Sequence, residues 1–220
     1  MLKNSLVESI ESNLKSGLSL NEEQKGFLLE KGFSENPSID DIAFLKQPYY
    51  FKGANPTADC LVILNNKILL VLRDEASVEA NKWAIPGGFV DTKAVYGQVW
   101  QEGLETPLQA AVRELSEEAN CDLYDLVDKA VFLKISEGNN RDPRDNALAW
   151  SKSYAFMFDL KDGDLPVEKI NSIRALDEVT MAQWHDVNNL PVMAFDHKDI
   201  ISFALDKKNQ SLEKARFSMK

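Results

Sequence analysis

Apolar side chains in the first fifty residues recur at the spacing of a helix. They stand four apart at Leu2, Leu6, Ile10 and Leu14. Residues spaced in this way share one helix face, so the pattern predicts helices over 2–16 and 21–31, with a further helical turn over 39–45. The segment 48–56 combines prolines with aromatic residues, which predicts an extended linker. We therefore expect residues 1–50 to form an N-terminal helical extension.

The pattern changes at Ala58. Apolar runs that favour β-structure occur at 60–64, 68–72, 83–90, 130–135, 153–159 and 180–184. Asn65, Asn66 and Lys67 separate the first two runs and predict a hairpin, since asparagine tolerates positive φ in a turn. Helical patterns span 106–120 and 196–216. This order predicts an α/β (α+β) fold, a mixed β-sheet sandwiched between helices, over residues 51–220.

Composition and charge argue against some binding partners and favour one cellular compartment. Lys and Arg total 25 against 35 Asp and Glu, and the net charge of −10 argues against nucleic acid as a partner. No apolar run approaches the ~20 residues that cross a bilayer, so we expect no membrane association and a cytoplasmic location. Cys60 and Cys121 lack the paired spacing of a zinc knuckle, and a reducing compartment fits them.

Carboxylates cluster on the predicted helix 106–120. Glu114, Glu117 and Glu118 share one end of a helix face and repel one another. A solvated acidic face is the simpler interpretation of such a cluster. A bound Mg²⁺ or Mn²⁺ would instead make it a metal site, because hard cations prefer carboxylate oxygens. Two glycines and a further acidic residue ahead of the helix favour the metal site.

These residues resemble the Nudix box, in which a glycine, five residues, a glutamate and seven residues precede Arg-Glu-aliphatic-x-Glu-Glu-x-Gly. The matching residues are Gly88, Glu105, Arg113, Glu114, Leu115, Glu117 and Glu118. Sixteen residues rather than five separate Gly88 from Glu105, so 89–104 contains an insertion of eleven, which either covers the site or is a surface excursion. Asn120 replaces the last glycine, and asparagine also tolerates positive φ.

Flanking motifs resemble the branch of the Nudix family that handles ADP-ribose and related NAD metabolites. They are Asn55-Pro56-Thr57-Ala58-Asp59, Trp83 to Asp91, Arg141-Asp142-Pro143-Arg144-Asp145-Asn146 and Leu190 to His197. The resemblance covers about residues 50–205 and implies the Nudix fold. It also implies Mg²⁺- or Mn²⁺-dependent hydrolysis of a nucleoside diphosphate linked to another moiety. ADP-ribose, giving AMP and ribose 5-phosphate, is the expected substrate.

The resemblance also implies a role for each residue of the box. The expected metal ligands are Glu114, Glu117 and Glu118, with a backbone contact to metal or phosphate from Gly88. Glu105 and Arg113 are expected to orient the site. Nudix enzymes draw their general base from the box or from a later loop, which makes Glu117 and Glu137 candidates and Glu178 a weaker third.

Substrate contacts are expected from arginine and aromatic side chains. The guanidinium groups of Arg141 and Arg144 match phosphate or ribose oxygens, although this segment is also compatible with a self-paired surface turn. Tyr50 and its aromatic neighbours are candidates for stacking on adenine, or else for packing. His185 and His197 lack the spacing of metal ligands, and we do not expect them to be catalytic.

Other functions make different demands on the sequence. An NAD-linked Nudix transcription regulator needs a basic winged-helix module, which we do not expect in the 24 residues after Asp196. A catalytically silent ADP-ribose sensor would have lost box carboxylates, and all are present here. An NADH pyrophosphatase would usually carry a four-cysteine zinc site. We therefore expect an enzyme that acts on a small-molecule nucleoside diphosphate. NADH and a sugar nucleotide are alternatives to ADP-ribose as the substrate. A homodimer is the assembly that the family resemblance allows.

Overall fold

Seven strands form one mixed sheet in the computed structural model, which describes residues 2–46, 48–94, 97–138 and 141–218. The strands β1 to β7 span Gly53–Leu64, Lys67–Arg73, Trp83–Ala84, Gly87–Phe89, Val131–Glu137, Ala149–Leu160 and Val179–Asp186. The helices α1 to α6 span Leu2–Lys15, Glu22–Glu30, Ile39–Leu45, Pro107–Ala119, Val167–Asn171 and His197–Ser218. A 3-10 helix at Tyr124–Lys129 precedes β5.

The two longest strands, β1 and β6, run parallel along their whole lengths. The strand order is β3-β2-β1-β6-β5, and the remaining pairs are antiparallel. Strand β7 pairs with β2. The first half of β1 pairs with β4, which places Gly87 and Gly88 opposite Asp59 and Ala58. This pairing places the two glycines next to Ala58 and Asp59, just before the apolar stretch of β1 that begins at Cys60.

Successive side chains of β1 point to opposite faces of the sheet, as the pleat requires. Cys60 and Val62 pack in one core with α4, whereas Leu61 and Ile63 pack in the other core with α6. All four side chains are fully buried. The sheet is sandwiched between helices, and the predicted α/β (α+β) class is confirmed.

The helices α1, α2 and α3 build a third core. Asn21 and Ser38 begin α2 and α3 with capping boxes, which satisfy N–H groups that the first helical turn leaves open. This core also contains Phe44 and Tyr49, and it meets the sheet at Ala149. The division of the chain near residue 50 into an extension and a domain stays a prediction.

Two predicted segments differ in the structure. The extended linker over 48–56 gives way to β1 at Gly53, because the backbone from there onward pairs with β6. The strand predicted over 83–90 divides into β3 and β4 around Pro86, which has no N–H to donate to a neighbouring strand. The short helix α5 and the 3-10 helix have no counterpart in the hydrophobic pattern.

The insertion 89–104 packs in its described part against the N-terminal extension. The N–H of Gly97 donates to the carbonyl of Tyr50 at 2.8 Å. Gly97 has a φ of +80°, and a side chain at this position would overlap the ring of Phe33. Glycine is therefore required where the insertion crosses the extension. The choice between a cover for the site and a surface excursion stays a prediction, and residues 95 and 96 lie outside the described residues.

Candidate active site

A cleft of about 420 Å³ opens among residues of β1, β2, β4 and α4. Its acidic lining consists of Asp59, Asp91, Glu114, Glu117, Glu118, Asp142, Asp177 and Glu178. Its basic lining consists of Arg73, Arg113, Arg141 and Arg144. A cleft with both signs of charge can hold a cation and an anionic ligand side by side.

Helix α4 carries the predicted acidic cluster. The hydroxyl of Thr106 accepts a hydrogen bond from the N–H of Gln109, and the Gln109 side chain accepts one from the N–H of Thr106. The buried face consists of Ala110, Ala111, Val112, Leu115 and Ala119. The helix ends at Asn120, whose φ of 53° is left-handed, so asparagine keeps the turn that the box glycine would form. Because the apolar face is buried against the sheet, the glutamates face the cleft.

Arg113 joins the carboxylates of the box. Its guanidinium donates to both oxygens of Glu105, at 2.7 and 3.1 Å, and to Glu114 and Glu117 at 2.8 Å each. A further N–H donates to the carbonyl of Phe89 at 3.0 Å. Burial alone would raise the pKa of Glu105, but hydrogen bonds from Arg113 and from the backbone lower it. Glu105 and Arg113 thus tie the loop before α4 to the helix.

Burial disfavours the charged forms of Glu114 and Glu118. Burial raises the pKa of Glu114. Burial also raises the pKa of Glu118 to about 8, although the N–H of Gly87 donates to its carboxylate at 3.0 Å. A side chain at Gly88 would overlap the carboxyl group of Glu114. The glycine therefore leaves room for these carboxylates at the wall of the cleft.

The carboxylates fit a divalent cation by their chemistry rather than by a finished geometry. Among the described residues, no three acidic, histidine or cysteine side chains converge as a ready-made metal site. Arg113 instead pairs with Glu114 and Glu117. Buried carboxylates with raised pKa values become more stable in their charged form beside a cation, and carboxylate oxygens are the ligands that Mg²⁺ and Mn²⁺ prefer.

The second charged group of the cleft is the turn 141–146, which we call the arginine turn. Arg144 donates to the two oxygens of Asp142 at 2.9 and 2.6 Å, and Asp142 is buried. Arg141 forms an ion pair with Asp59 at 3.3 Å. Both arginines line the cleft, as expected of substrate contacts, while Arg144 is also paired within its own turn. Arg144 is therefore neutralised within the arginine turn, whereas Arg141 pairs with Asp59 and Asp196 outside it.

The comparisons with known proteins identify the family. A sequence model of the NUDIX domain matches residues 54–203. The chain belongs to the NUDIX family. An ADP-ribose pyrophosphatase of Methanocaldococcus jannaschii is 32% identical to this Nudix hydrolase over 152 residues, which are 69% of this chain and 73% of that protein. Nudix hydrolases generally use divalent metal ions.

Solved structures share the fold of this Nudix hydrolase. A bifunctional NMN adenylyltransferase/ADP ribose pyrophosphatase of Francisella tularensis, crystallised with AMP and a manganese ion, has 30% identity and a TM-score of 0.54. The match covers 76% of this chain and 46% of that one, so this chain spans less than half the length of the Francisella protein. The NUDIX domain of Shewanella oneidensis NrtR, crystallised with ADP ribose, has 22% identity and a TM-score of 0.52, covering 78% of this chain and 99% of that one. At this lower identity the likeness shows the fold alone.

The structure does not bring two predicted site residues of the Nudix hydrolase into the cleft. Glu137 accepts a hydrogen bond from the indole N–H of Trp150 at 2.9 Å, which lowers its pKa, and it pairs with Lys152 at 3.3 Å. Tyr50 is 56% exposed and packs edge-on against Phe89, with the ring centroids 6.0 Å apart. Glu137 is therefore separate from the box carboxylates, and Tyr50 lies beside the cleft; their functional roles stay predictions.

A buried polar group behind the arginine turn was missed by the sequence reasoning. Asp59 accepts a hydrogen bond from the hydroxyl of Ser153 and lies 3.7 Å from Nε2 of His197. The N–H of Ile85 donates to Nδ1 of His197 at 2.9 Å, which assigns the ring proton to Nε2. Burial lowers the pKa of His197, so the ring is neutral. Both residues stand in the flanking motifs, which were the available signal, and Asp59 also pairs with Arg141.

Arg73 is a second residue that the sequence reasoning missed. Its guanidinium lies over the ring of Phe195, 5.0 Å from the centroid, and its Nε donates to the carbonyl of Val78 at 2.6 Å. The other three arginines of the cleft pair with carboxylates. Arg73 forms no ion pair with a carboxylate among the described residues, so it offers the cleft a positive charge. Its position at the end of an apolar strand gave no sequence signal of a role in the cleft.

Proposed function

We propose that this Nudix hydrolase cleaves the diphosphate of ADP-ribose with water, releasing AMP and ribose 5-phosphate, with Mg²⁺ or Mn²⁺ as cofactor. The observation that carries the proposal is the cleft, whose lining combines the box carboxylates with three further arginines, Arg73, Arg141 and Arg144. A diphosphate needs both groups, because a divalent cation and guanidinium groups together neutralise its charge. The relative from M. jannaschii, which is named an ADP-ribose pyrophosphatase, supports this choice of substrate.

The acidic helix supplies the side chains for a metal ion. Glu114, Glu117 and Glu118 would hold it, with the backbone of Gly88 beside them. A divalent ion bound there neutralises the diphosphate and polarises it as a Lewis acid. Arg113 and Glu105 keep the helix and its preceding loop in register through their paired hydrogen bonds.

The cationic side of the cleft binds the substrate. Arg73 is suited to a phosphate oxygen, because no described carboxylate pairs with it and a guanidinium matches phosphate geometry. Arg141 and Arg144 also face the cleft, and their carboxylate partners fix their orientation. The substrate would therefore meet guanidinium groups that are already in place.

The attacking water needs a general base. Glu117 and Glu178 are candidates that line the cleft, one on α4 and the other just before β7. Glu117 pairs with Arg113 at 2.8 Å. Kinetics of Glu117→Gln and Glu178→Gln would separate them, since loss of the base lowers kcat at every concentration of metal.

A catalytically silent sensor of ADP-ribose is the second candidate function. The likeness in fold to the NrtR domain crystallised with ADP ribose makes it worth testing. The complete set of box carboxylates favours the enzyme, because a sensor needs no metal-binding glutamates. A sensor would bind ADP-ribose without turnover.

A substrate panel tests the proposal most directly. ADP-ribose, NADH, a sugar nucleotide and a dinucleoside polyphosphate are each incubated with the protein and Mg²⁺, Mn²⁺ or EDTA, and products are separated by ion-exchange chromatography. We expect AMP and ribose 5-phosphate in equal amounts from ADP-ribose, and none with EDTA. Binding of ADP-ribose without turnover would support the sensor. Faster hydrolysis of another compound would correct the substrate.

Glu118→Gln tests the role of the acidic helix. We expect kcat for ADP-ribose to fall by about 100-fold or more, because one oxygen ligand of the metal is lost. Glu35→Gln makes the same chemical change at an exposed position in the extension and should keep full activity. Full activity of Glu118→Gln would contradict the assignment of the metal site.

The remaining expectations about partners and location stay predictions. None of the described helices is both long and apolar enough to span a bilayer. The proposed partner is a small-molecule nucleoside diphosphate. A homodimer, the absence of a nucleic-acid partner and a cytoplasmic location are further predictions that follow from composition and from the family resemblance.

A further inference from the structure

Tyr49 links the N-terminal extension to the arginine turn. It precedes the stretch that matches the NUDIX domain, and its side chain is 1% exposed in the core built by α1, α2 and α3. Its hydroxyl donates a hydrogen bond to Asp145. Its ring also meets Phe89 edge-on, with centroids 6.4 Å apart. One side chain of the extension therefore reaches both the arginine turn and a residue that lines the cleft.

Asp145 connects Tyr49 to the rest of the arginine turn through hydrogen bonds. One oxygen of Asp145 accepts from both the Tyr49 hydroxyl and the N–H of Ser151, the latter at 2.8 Å. The other oxygen accepts from the N–H of Asp142 at 3.3 Å. The N–H of Asp145 in turn donates to the carbonyl of Asp142 at 2.9 Å. Asp142, the partner of Arg144, is thus held by the residue that Tyr49 contacts.

The ring of Tyr49 contacts Arg144 directly. The guanidinium carbon lies 5.3 Å from the ring centroid, a distance at which a cation is attracted to an aromatic face. Tyr49 therefore touches Arg144 through its ring and supports the partner of Arg144 through its hydroxyl. Burial and the acceptor Asp145 raise the pKa of Tyr49, so the hydroxyl keeps the proton that it donates.

We propose that Tyr49 is a positioning residue, through which the N-terminal extension sets the orientation of Arg144 toward the diphosphate substrate. This inference rests on the proposed function, because it takes Arg144 as a substrate contact. The guanidinium has a fixed fork of donors, and a change in its orientation weakens a phosphate contact more than it alters the chemical step. The extension is then part of the substrate site as well as a separate hydrophobic core.

Tyr49→Phe removes the hydroxyl and keeps the buried ring. We expect the KM for ADP-ribose to rise roughly tenfold, as for the loss of one hydrogen bond to a charged acceptor, while kcat changes by less than about twofold. Asp145→Asn removes the charge of the acceptor and should raise KM in the same direction. Tyr124→Phe, on the 3-10 helix, is the matched control and should leave both constants unchanged. Melting curves at the assay pH show that each variant is folded.

A double-mutant cycle with Arg144→Gln separates positioning from general support of the fold. If Tyr49 acts through Arg144, Tyr49→Phe adds little to KM once Arg144 is absent, whereas independent effects multiply. Multiplied effects, or an unchanged KM in Tyr49→Phe with a wild type that hydrolyses ADP-ribose, would overturn the inference and leave the proposed function standing. A wild type that neither hydrolyses nor binds ADP-ribose would overturn both.

Discussion

The acidic helix α4 and the arginine turn line the same cleft, and they treat buried charge in opposite ways. On α4, burial raises the pKa of Glu114 and raises that of Glu118 to about 8. In the arginine turn, Arg144 meets both oxygens of Asp142 at 2.9 and 2.6 Å. The helix leaves part of its charge for a ligand to neutralise, whereas Arg144 is neutralised within its own turn.

We interpret this difference as a division of roles, in which α4 serves the affinity for a metal ion and the arginine turn serves the orientation of its side chains. A carboxylate with a raised pKa lowers the stability of the protein when it ionises, and it gains stability when a cation binds. A buried ion pair adds little net stability, but removal of one partner leaves an uncompensated charge and is costly. We therefore expect the helix to be the part that responds to metal and the turn to be the part that holds its shape.

Asp142→Asn should cause the largest loss of stability among the tests of this comparison. It leaves Arg144 without its charged partner, and we expect a loss of about 2–3 kcal/mol in the free energy of unfolding. The value lies toward the low end for a buried pair because the Arg144 side chain is 26% exposed. Urea unfolding measures the loss, and the KM for ADP-ribose should rise as well.

An exposed aspartate provides the control for this variant. Asp125→Asn lies on the 3-10 helix and should change the free energy of unfolding by less than about 0.5 kcal/mol. Equal stability of Asp142→Asn and the wild type would show that the turn does not depend on its internal ion pair.

Glu118→Gln should have the opposite effect when metal is removed. The pKa of Glu118 is about 8 in the folded protein against an ordinary value of 4.5, so the folded protein keeps a proton that the unfolded chain releases between these values. Wild-type stability should therefore fall as pH rises from 4.5 to 8 and then level off. The glutamine variant lacks this slope and should melt several degrees above the wild type at pH 8 in EDTA.

Added metal sharpens the same test. Mg²⁺ at pH 8 should raise the melting temperature of the wild type more than that of Glu118→Gln, because the ionised carboxylate gains a cation. Glu35→Gln should follow the wild type in both conditions. If the melting temperatures of the wild type and Glu118→Gln in EDTA changed in parallel with pH, burial would not raise the pKa of Glu118 as inferred.

Asn120→Gly should give the smallest effect. Glycine suits the φ of 53° better than asparagine does, but the variant loses the hydrogen bond from the Asn120 side chain to the carbonyl of Ser172 at 2.9 Å. We expect the two effects to cancel within about 1 kcal/mol. Asn120→Ala lacks both advantages and should be less stable than Asn120→Gly in thermal unfolding, which a more stable alanine variant would contradict.

Features whose partners are close neighbours in the chain were predicted well. The hairpin between β1 and β2 has φ values of 50° at Asn65 and 60° at Asn66, as a turn of two asparagines allows. Helix α4 spans Pro107–Ala119 within the predicted 106–120, because its cap, its apolar face and its end are all encoded within a few turns. The resemblance paired Glu105 and Arg113 as orienting residues, and their side chains are hydrogen-bonded to each other.

The charge environment of each side chain could not be predicted in the same way. Glu137 and Glu117 were equal candidates by residue type, yet the pairing of β5 with β6 places Glu137 beside Lys152. Asp59 and His197 meet only because β1 and the start of α6 converge behind the cleft. The burial of a charged group and its pairing with an opposite charge depend on distances between elements. A single sequence contains no direct measure of those distances.

Spacing along the chain was enough to predict most of the strands and long helices, the acidic face of α4 and the family resemblance. Only the tertiary structure decided that Arg144 is neutralised within its turn, that Arg73 is not paired with a described carboxylate, and that Tyr49 of the extension contacts the arginine turn. The physical reason is that electrostatic energies depend on distance and burial, and folding brings together charges that lie far apart in the sequence.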